Sequence, residues 1–233
     1  MSDEQPASAT EQQTVVSEAA GIAAWRSPRA WIVLVAVIAG SVAIDLVSKH
    51  LAFEHVAGDP VTLVREDVIS SGDTRLGPNA LIPPHAPVVV VPNLLDFTLV
   101  LNRGAVFGIG AGKRWFFVGF TAIAVGFGLY VFASWTRAGD HLTHTWLGLV
   151  LGGGLGNLYD RLVFACVRDF IHPLPGVDLP FGLSWPGGNT QAWPYVSNIA
   201  DLFLIIGIVG LIVHVWRADA PAKHEQAEAN DDT

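Results

Sequence analysis

The sequence predicts an all-α integral membrane protein, four transmembrane helices with a small β-rich segment at one membrane face. Three observations predict it. Of the 233 residues, 51% are hydrophobic by type and only 15% are charged, which leaves too little charge to cover a soluble domain of this size. Apolar runs long enough to cross ~30 Å of hydrocarbon fall at about 29–51, 115–135, 142–167 and 199–216. Between the first two runs the helical pattern gives way to β-branched stretches punctuated by Pro and Gly.

Each element follows in order. Residues 1–28 are rich in Ser, Ala, Glu and Gln without an apolar period and read as a disordered tail. The run 29–51 is long and lacks a small-residue cleavage site, so it reads as a retained anchor rather than a removable signal. Within 52–114, "VTLV" and "PVVVVPNLLDFTLVLNRGAVFGIG" read as short strands of a small sheet lying against the membrane face. A second span at 115–135 and a short loop at 136–141 lead to the third span, 142–167. Its "GGGLG" is no phosphate loop, because no Lys-Ser/Thr follows, and its small residues suit close helix packing. Segment 168–198 connects the last two spans. From His172 to Tyr195 it is dense in Pro, Gly and Trp, a composition that suits a loop in the headgroup zone. The fourth span, 199–216, ends in a second polar tail, 217–233. Four spans place both termini on one side and both long segments on the other. Counting Lys and Arg leaves open which side is which, and no internal repeat suggests the inverted halves of a transporter.

Several function classes drop out. The lone Cys166 excludes a disulfide framework, offers no metal site, and reads as an ordinary buried residue. The net charge of −8 resides largely in the tails and gives no reason to propose a nucleic-acid partner. His141 and His144 share a face in "HLTH" beside Asp140, and the short loop there makes them a solvated hairpin. Asp45 and Lys49, at i,i+4 near the outer end of the first span, read as a structural ion pair. Asn157, Asp160 and Arg161 read as a hydrogen-bonding set within the bundle.

Asp169 and Asp201 stand apart. With alternating span direction they flank one connecting loop at nearly the same depth, whereas Asp160, in a continuous helix, would lie ~13 Å deeper. Two carboxylates held close share a proton, one serving as base and the other as acid. A water between them can then attack a carbonyl while the second acid protonates its oxygen, as in aspartic proteases and with no metal or cofactor. The competing reading is that these acids cap helices or pair with Arg168 and Lys49. The same acids would act as proton sites or anchors in a non-enzymatic four-span carrier or scaffold.

Four stretches narrow the choice: "DLVSKHLA", "NRGAVFGIG", "GGGLGNLYDRL" with "VRDFI", and "NIAD". In this order and at these span positions the chain resembles the bacterial lipoprotein signal peptidases, signal peptidase II, from about Ile44 to Gly207. The resemblance implies four transmembrane helices with cytoplasmic termini, an extracytoplasmic β-cradle, and an active site near the outer face of the cytoplasmic membrane. It implies an aspartic endopeptidase that removes the signal peptide of prolipoproteins just before a diacylglyceryl-modified cysteine. Its partners would be lipidated prolipoproteins and membrane lipid, with no nucleic acid, no cofactor and no metal, and the enzyme a monomer. The family's catalytic acids fall on Asp169 and Asp201. Asn102, Arg103 and Gly108 fall on its substrate-side motif, and Asn157, Arg161, Asn198 and Ala200 support the acids. Asp45, Lys49 and Asp160 match its structural polar residues. Two departures mark this chain: Arg168 where the family has valine, which the assignment requires to point toward the headgroups, and Ser197 where it has phenylalanine. The Asp169–Asp201 separation is also longer than usual, the extra length falling in the Pro/Trp-rich loop. An inactive relative of the peptidase is the reading these departures keep open.

Overall fold

The computed structural model describes residues 21–71, 77–104 and 114–231, with side chains as far as Arg217. Helix α1, Pro28–His55, starts where Ser27 Oγ accepts a hydrogen bond from the Ala30 N–H (3.3 Å) and Pro28 takes the first helical position. A short helix α2, Arg65–Ser70, precedes the sheet. Three long helices follow: α3 (Arg114–Trp135), α4 (His141–Val163) and α5 (Ile199–Asp231). Helix α5 therefore continues past position 216, where the apolar run ends and a polar tail was expected.

Three helices are long and apolar enough to cross a membrane: Pro28–His55, Arg114–Trp135 and Ile199–Arg217. They turn large apolar side chains outward, among them Ile32, Phe120, Ile123, Phe127, Ile205 and Ile212, as lipid-facing helices do. The fourth expected span is the exception. Helix α4 packs against α1, α3 and α5, and its glycines and polar residues face those helices, so its own sequence is less apolar than a lipid-facing span. A Cβ at Gly152 would sit 2.6 Å from the Ser41 Cβ, and one at Gly153 2.5 Å from the Ala200 carbonyl oxygen. At Gly156 it would strike the Asp45 carboxylate. The small-residue reading of "GGGLG" thus holds, and it lets α1 and α5 close on α4 from two sides.

The sheet differs from expectation in its third strand. Strands β1 (Val88–Val91), β2 (Leu95–Asn102) and β3 (Val167–Pro173) form one antiparallel sheet in the order β1-β2-β3. The apolar pattern carries the third span to 167 and leaves Asp169 in a loop. Instead α4 ends at Val163, Ala165 adopts φ 62°, and the chain folds back as β3 beside β2, pairing Val100 with Asp169 and Asn102 with Val167. An apolar run cannot by itself distinguish a helix's end from a buried strand. By contrast "VTLV" forms no strand: Val61 donates its N–H to the Phe53 carbonyl (2.8 Å), and Val61 and Leu63 pack onto the small core of Phe53, Val68, Leu99, Leu101, Cys166 and Phe170. Cys166 is fully buried there, as expected.

At the opposite end the segment before α1 is tied to the α3–α4 turn, the Ala24 N–H donating to the Thr136 carbonyl (3.0 Å) and the Ala138 N–H to the Ile22 carbonyl (2.8 Å). His144 belongs to this packing. It is fully buried, its Nε2 is 3.1 Å from Thr136 Oγ1 and its ring meets Phe132 edge-on, so of the solvated pair expected for "HLTH" only His141 is exposed.

Candidate active site

The sheet end of the bundle is built on the start of α5. The Asp201 N–H donates to Asn198 Oδ1 (3.1 Å) and the Asn198 N–H donates to Asp201 Oδ2 (3.2 Å), a reciprocal capping pair that satisfies two otherwise orphaned donors. An acid in the first turn is favoured there by the helix dipole as well. Capping leaves the other oxygen, Oδ1, which accepts from Asn157 Nδ2 of α4 (2.8 Å).

Asp169 arrives on β3 and is 1% exposed. Its Oδ1 accepts from Asn198 Nδ2 (2.6 Å) and its Oδ2 from Asn102 Nδ2 at the end of β2 (3.0 Å). Asn102 is itself oriented, its Oδ1 accepting the Gly104 N–H at 3.0 Å. Asn198 therefore holds the Asp169 carboxylate through its amide nitrogen and the Asp201 backbone N–H through its oxygen, and its amide also donates to Asn157 Oδ1 (3.1 Å), whose own amide holds the Asp201 carboxylate. The backbone enforces this: Ser197 and Ile171 exchange both N–H···O bonds at 2.8 Å, clamping the residue before the α5 cap to β3. The two acids that depth had paired are brought into one hydrogen-bonded group, Asp169 buried and Asp201 half-buried.

Behind this pair lies a second layer of charge. Lys49, fully buried, places Nζ 2.8 Å from Asp45 Oδ2, 3.0 Å from Asn157 Oδ1 and 3.2 Å from Asp160 Oδ2. Asp45 Oδ1 accepts the Ala200 N–H (3.0 Å), fixing the first turn of α5 to α1. Asp160 also accepts from the Arg168 backbone N–H (3.0 Å) and, through Oδ1, from its Nε (3.2 Å) and Nη2 (2.8 Å). Two expectations are corrected here. Asp160 is not a turn-and-more deeper than Asp169, because the helix breaks at Phe164 and β3 doubles back over it. Arg168 does not reach the headgroups: it is 8% exposed, paired with Asp160 and stacked over Phe164 at 4.3 Å. Side-chain alternation along β3 turns it to the face opposite Asp169, and Asp160 neutralises it.

The remaining sequence candidates occupy the margins. Arg161 reaches the Asn157 carbonyl (3.4 Å) and lies over Phe117 at 5.0 Å, with no hydrogen bond to either acid among the described residues. Arg103 is half-buried just beyond Asn102, and Gly108 lies outside the described residues. Sequence reasoning missed the Lys49–Asp160 and Arg168–Asp160 pairs and the Ser197–Ile171 clamp. The only prior signal was an arginine adjacent to an acid in a short β-branched run.

Electrostatics follow from this packing. Burial pushes the Asp169 carboxyl up to about 7, and the negative charge of Asp201 pushes the same way, against the amide donors of Asn102 and Asn198 and the Lys49 ammonium. Near neutral pH such a carboxyl exchanges a proton readily, as a general acid or base requires.

Fold and site together define a multi-pass membrane protein in which a strand of the small sheet and the first turn of α5 each supply one of two linked carboxylates. Residues 37–217 match the model of the family described as Signal peptidase (SPase) II, and the chain belongs to the signal peptidase II family. It is similar to a lipoprotein signal peptidase of Methylobacterium sp. (strain 4-46), 35% identical over 158 residues, covering 63% of this chain and 84% of that one. It is also similar to one of Halothermothrix orenii, 32% identical over 132 residues, covering 57% and 77%. A solved bacterial membrane enzyme, determined by the in meso method at 2.3 Å resolution, shares the fold with a TM-score of 0.55 at 23% identity, covering 81% of this chain and 90% of that chain.

Proposed function

We propose that this signal peptidase II is an aspartic endopeptidase whose dyad is Asp169 and Asp201. The observation that carries the reading is the pair of asparagines linking the two carboxyls: Asn198 Nδ2 donates to Asp169 Oδ1 (2.6 Å) and to Asn157 Oδ1 (3.1 Å), and Asn157 Nδ2 donates to Asp201 Oδ1 (2.8 Å), with Asp169 raised to about 7 by burial and by Asp201. One proton is shared between the two carboxyls. The ionised acid takes a proton from a water, which attacks the scissile carbonyl, while the protonated acid gives its proton to the carbonyl oxygen. Collapse of the tetrahedral intermediate breaks the C–N bond as the leaving amine is protonated. The products are a free signal peptide and a new N-terminus. Asn102 and Asn198 keep both Asp169 oxygens directed, and Asn157 does the same for Asp201.

The substrate is a prolipoprotein whose cysteine bears diacylglyceryl, cut on the N-terminal side of that cysteine, with the lipid in the bilayer beside the helices. Helix α4 crosses the membrane as the fourth span at the centre of the bundle, both termini are cytoplasmic, and the sheet end faces the outside. The chain acts as a monomer. Supporting α4 as a span are its 23 residues, ~35 Å at 1.5 Å per residue, and its packing between α1 and α5. The buried charges Asp45, Lys49, Asp160 and Arg168 pair off in equal numbers of each sign, which favours a positioning role for them over ion transport.

The test is cleavage of a diacylglyceryl-modified prolipoprotein by the detergent-purified protein with a chelator present. Wild type is expected to cut before the lipidated cysteine, and Asp169→Asn and Asp201→Asn to lose activity by orders of magnitude while remaining folded. Full activity in either variant would overturn the dyad.

A further inference from the structure

The extra chain length between the two acids is an ordered arm. The Leu179 N–H donates to the Thr190 carbonyl (2.7 Å), the Ala192 N–H to the Val177 carbonyl (2.7 Å) and the Trp185 N–H to the Asn189 carbonyl (2.8 Å). Asp178 and Gln191 form an antiparallel bridge, the Thr190 hydroxyl donates to Asp178 (2.8 Å), and the Trp185 indole N–H donates to the Gln191 carbonyl (2.9 Å). These bonds close residues 177–192 into a two-stranded finger. What they present is apolar: Phe181 is 97% exposed and Leu183 57%. Phe181 also sits at φ 61°, a backbone region uncommon for a bulky residue. Asp178 is the only charged residue from Pro173 to Ser197, and its carboxylate already accepts from Thr190.

A second surface joins the root of this finger. Strand β1 is an edge strand with Val88, Val89, Val90 and Val91 all exposed, as is Leu94 in the turn that follows. An apolar, uncharged sheet edge in water is an aggregation hazard that proteins ordinarily blunt with charge or cover. The Leu174 N–H donates to the Leu94 carbonyl (2.9 Å), and Val89 and Pro92 share a cleft with Pro175 and Gly176, which Asn93 and the largely buried Asp96 also line. The two apolar surfaces are therefore contiguous at the finger's base. Both lie at the end of a bundle whose spans already expose apolar side chains to lipid. Neutral, aromatic and aliphatic chain at a span's end is the composition that partitions into a bilayer interface.

We propose that the 177–192 finger and the valine edge of β1 form a platform resting in the lipid leaflet at the sheet end, with Phe181 and Leu183 dipped among the headgroups. The occupant is lipid. The finger springs from the Ile171–Ser197 clamp, and that clamp joins the strand of Asp169 to the cap of Asp201. Anchoring the finger therefore fixes the depth of the dyad against the membrane surface, where a peptide bond next to a lipid-bearing residue must be met. The inference adds to the proposed peptidase reading but does not depend on it, since the readout is lipid contact.

Cys166 is the chain's one cysteine and is buried, so Phe181→Cys and Leu183→Cys each give a single reactive site for an environment-sensitive nitrobenzoxadiazole label. The labelled proteins are placed in phosphatidylcholine–phosphatidylglycerol nanodiscs, and retained unfolding temperature selects folded samples. Blue-shifted emission, quenched by lipids with a nitroxide near the headgroup and shielded from aqueous iodide, is expected at both positions. Water-like emission quenched by iodide and not by nitroxide lipids would overturn the proposal. So would a blue shift appearing only after a lipidated peptide is added, which would make the tip a substrate contact. Loss of activity in Asp169→Asn without change in the label's emission would separate the two readings.

Discussion

At the scale of single residues, Asp201 shows how one acid serves two purposes. One oxygen closes the α5 cap and the other accepts from Asn157, so capping, the competing reading of its sequence position, is correct and yet leaves a lone oxygen facing the site. Asp169 has no such secondary role, and its burial makes its titration visible. A carboxyl raised from its ordinary value of 3.8 to about 7 binds its proton more tightly folded than unfolded, so it costs stability as pH rises from about 4 to about 7. Asp169→Asn removes that cost. The variant is expected to melt higher than wild type at pH 8, by on the order of a few kcal/mol at ~1.4 kcal/mol per pKa unit, with the advantage gone at pH 4. Thermal unfolding in detergent at the two pH values checks it. The same proton sets activity: kcat/KM is expected to fall as pH rises past about 7, because the form with one shared proton is lost. A flat profile from pH 6 to 9 would count against a titrating Asp169.

At the scale of elements, helix α4 is the instructive case. Alone among the described long helices it has no stretch as apolar as a lipid-facing span, because its faces are spent on neighbours, and glycines set how close those neighbours come. Gly156→Ala would drive a methyl group into the Asp45 carboxylate, breaking contact with both Lys49 and the Ala200 N–H, a loss of about 1–3 kcal/mol or more and of most activity. Gly154→Ala meets only Thr121 Cγ2 at 3.7 Å, ordinary contact, and is expected to be neutral or slightly stabilising. Melting curves of the two variants side by side test whether the spacing rather than the glycine content matters. Strand β3 is the complementary case. Its residues are apolar enough to extend the preceding run, and only pairing with β2 shows them to be sheet.

For the whole molecule, the buried charges Asp45, Lys49, Asp160 and Arg168 tie α1, α4, β3 and the first turn of α5 into one unit. Removing one member of a buried set leaves its partner unpaired, which costs about 3–5 kcal/mol. Lys49→Met, which leaves buried Asp45 without a cation while Asp160 keeps only Arg168, is expected to lower the melting temperature sharply and to lose activity with it. Arg168→Val, with Lys49 still beside Asp160, is expected to cost less. Equal melting temperatures for wild type and Lys49→Met would show that the network does not hold the fold.

That the chain is a multi-pass membrane protein with a small sheet is legible in its amino-acid order, because the length of an apolar run and the rise of a helix translate directly into crossing a bilayer. That order also singled out Asp169 and Asp201, since alternating spans set them at one depth on either side of one loop, and its motifs pointed to the family. Tertiary contacts alone set where α4 ends, put Asp169 on a strand, turn Arg168 inward to Asp160, and link the two carboxyls through Asn198 and Asn157. Those features depend on contacts between residues far apart in the chain, such as Val100 with Asp169 and Ser197 with Ile171. Local pattern carries periodicity and propensity, but it holds no record of which distant partner will satisfy a buried hydrogen bond or charge.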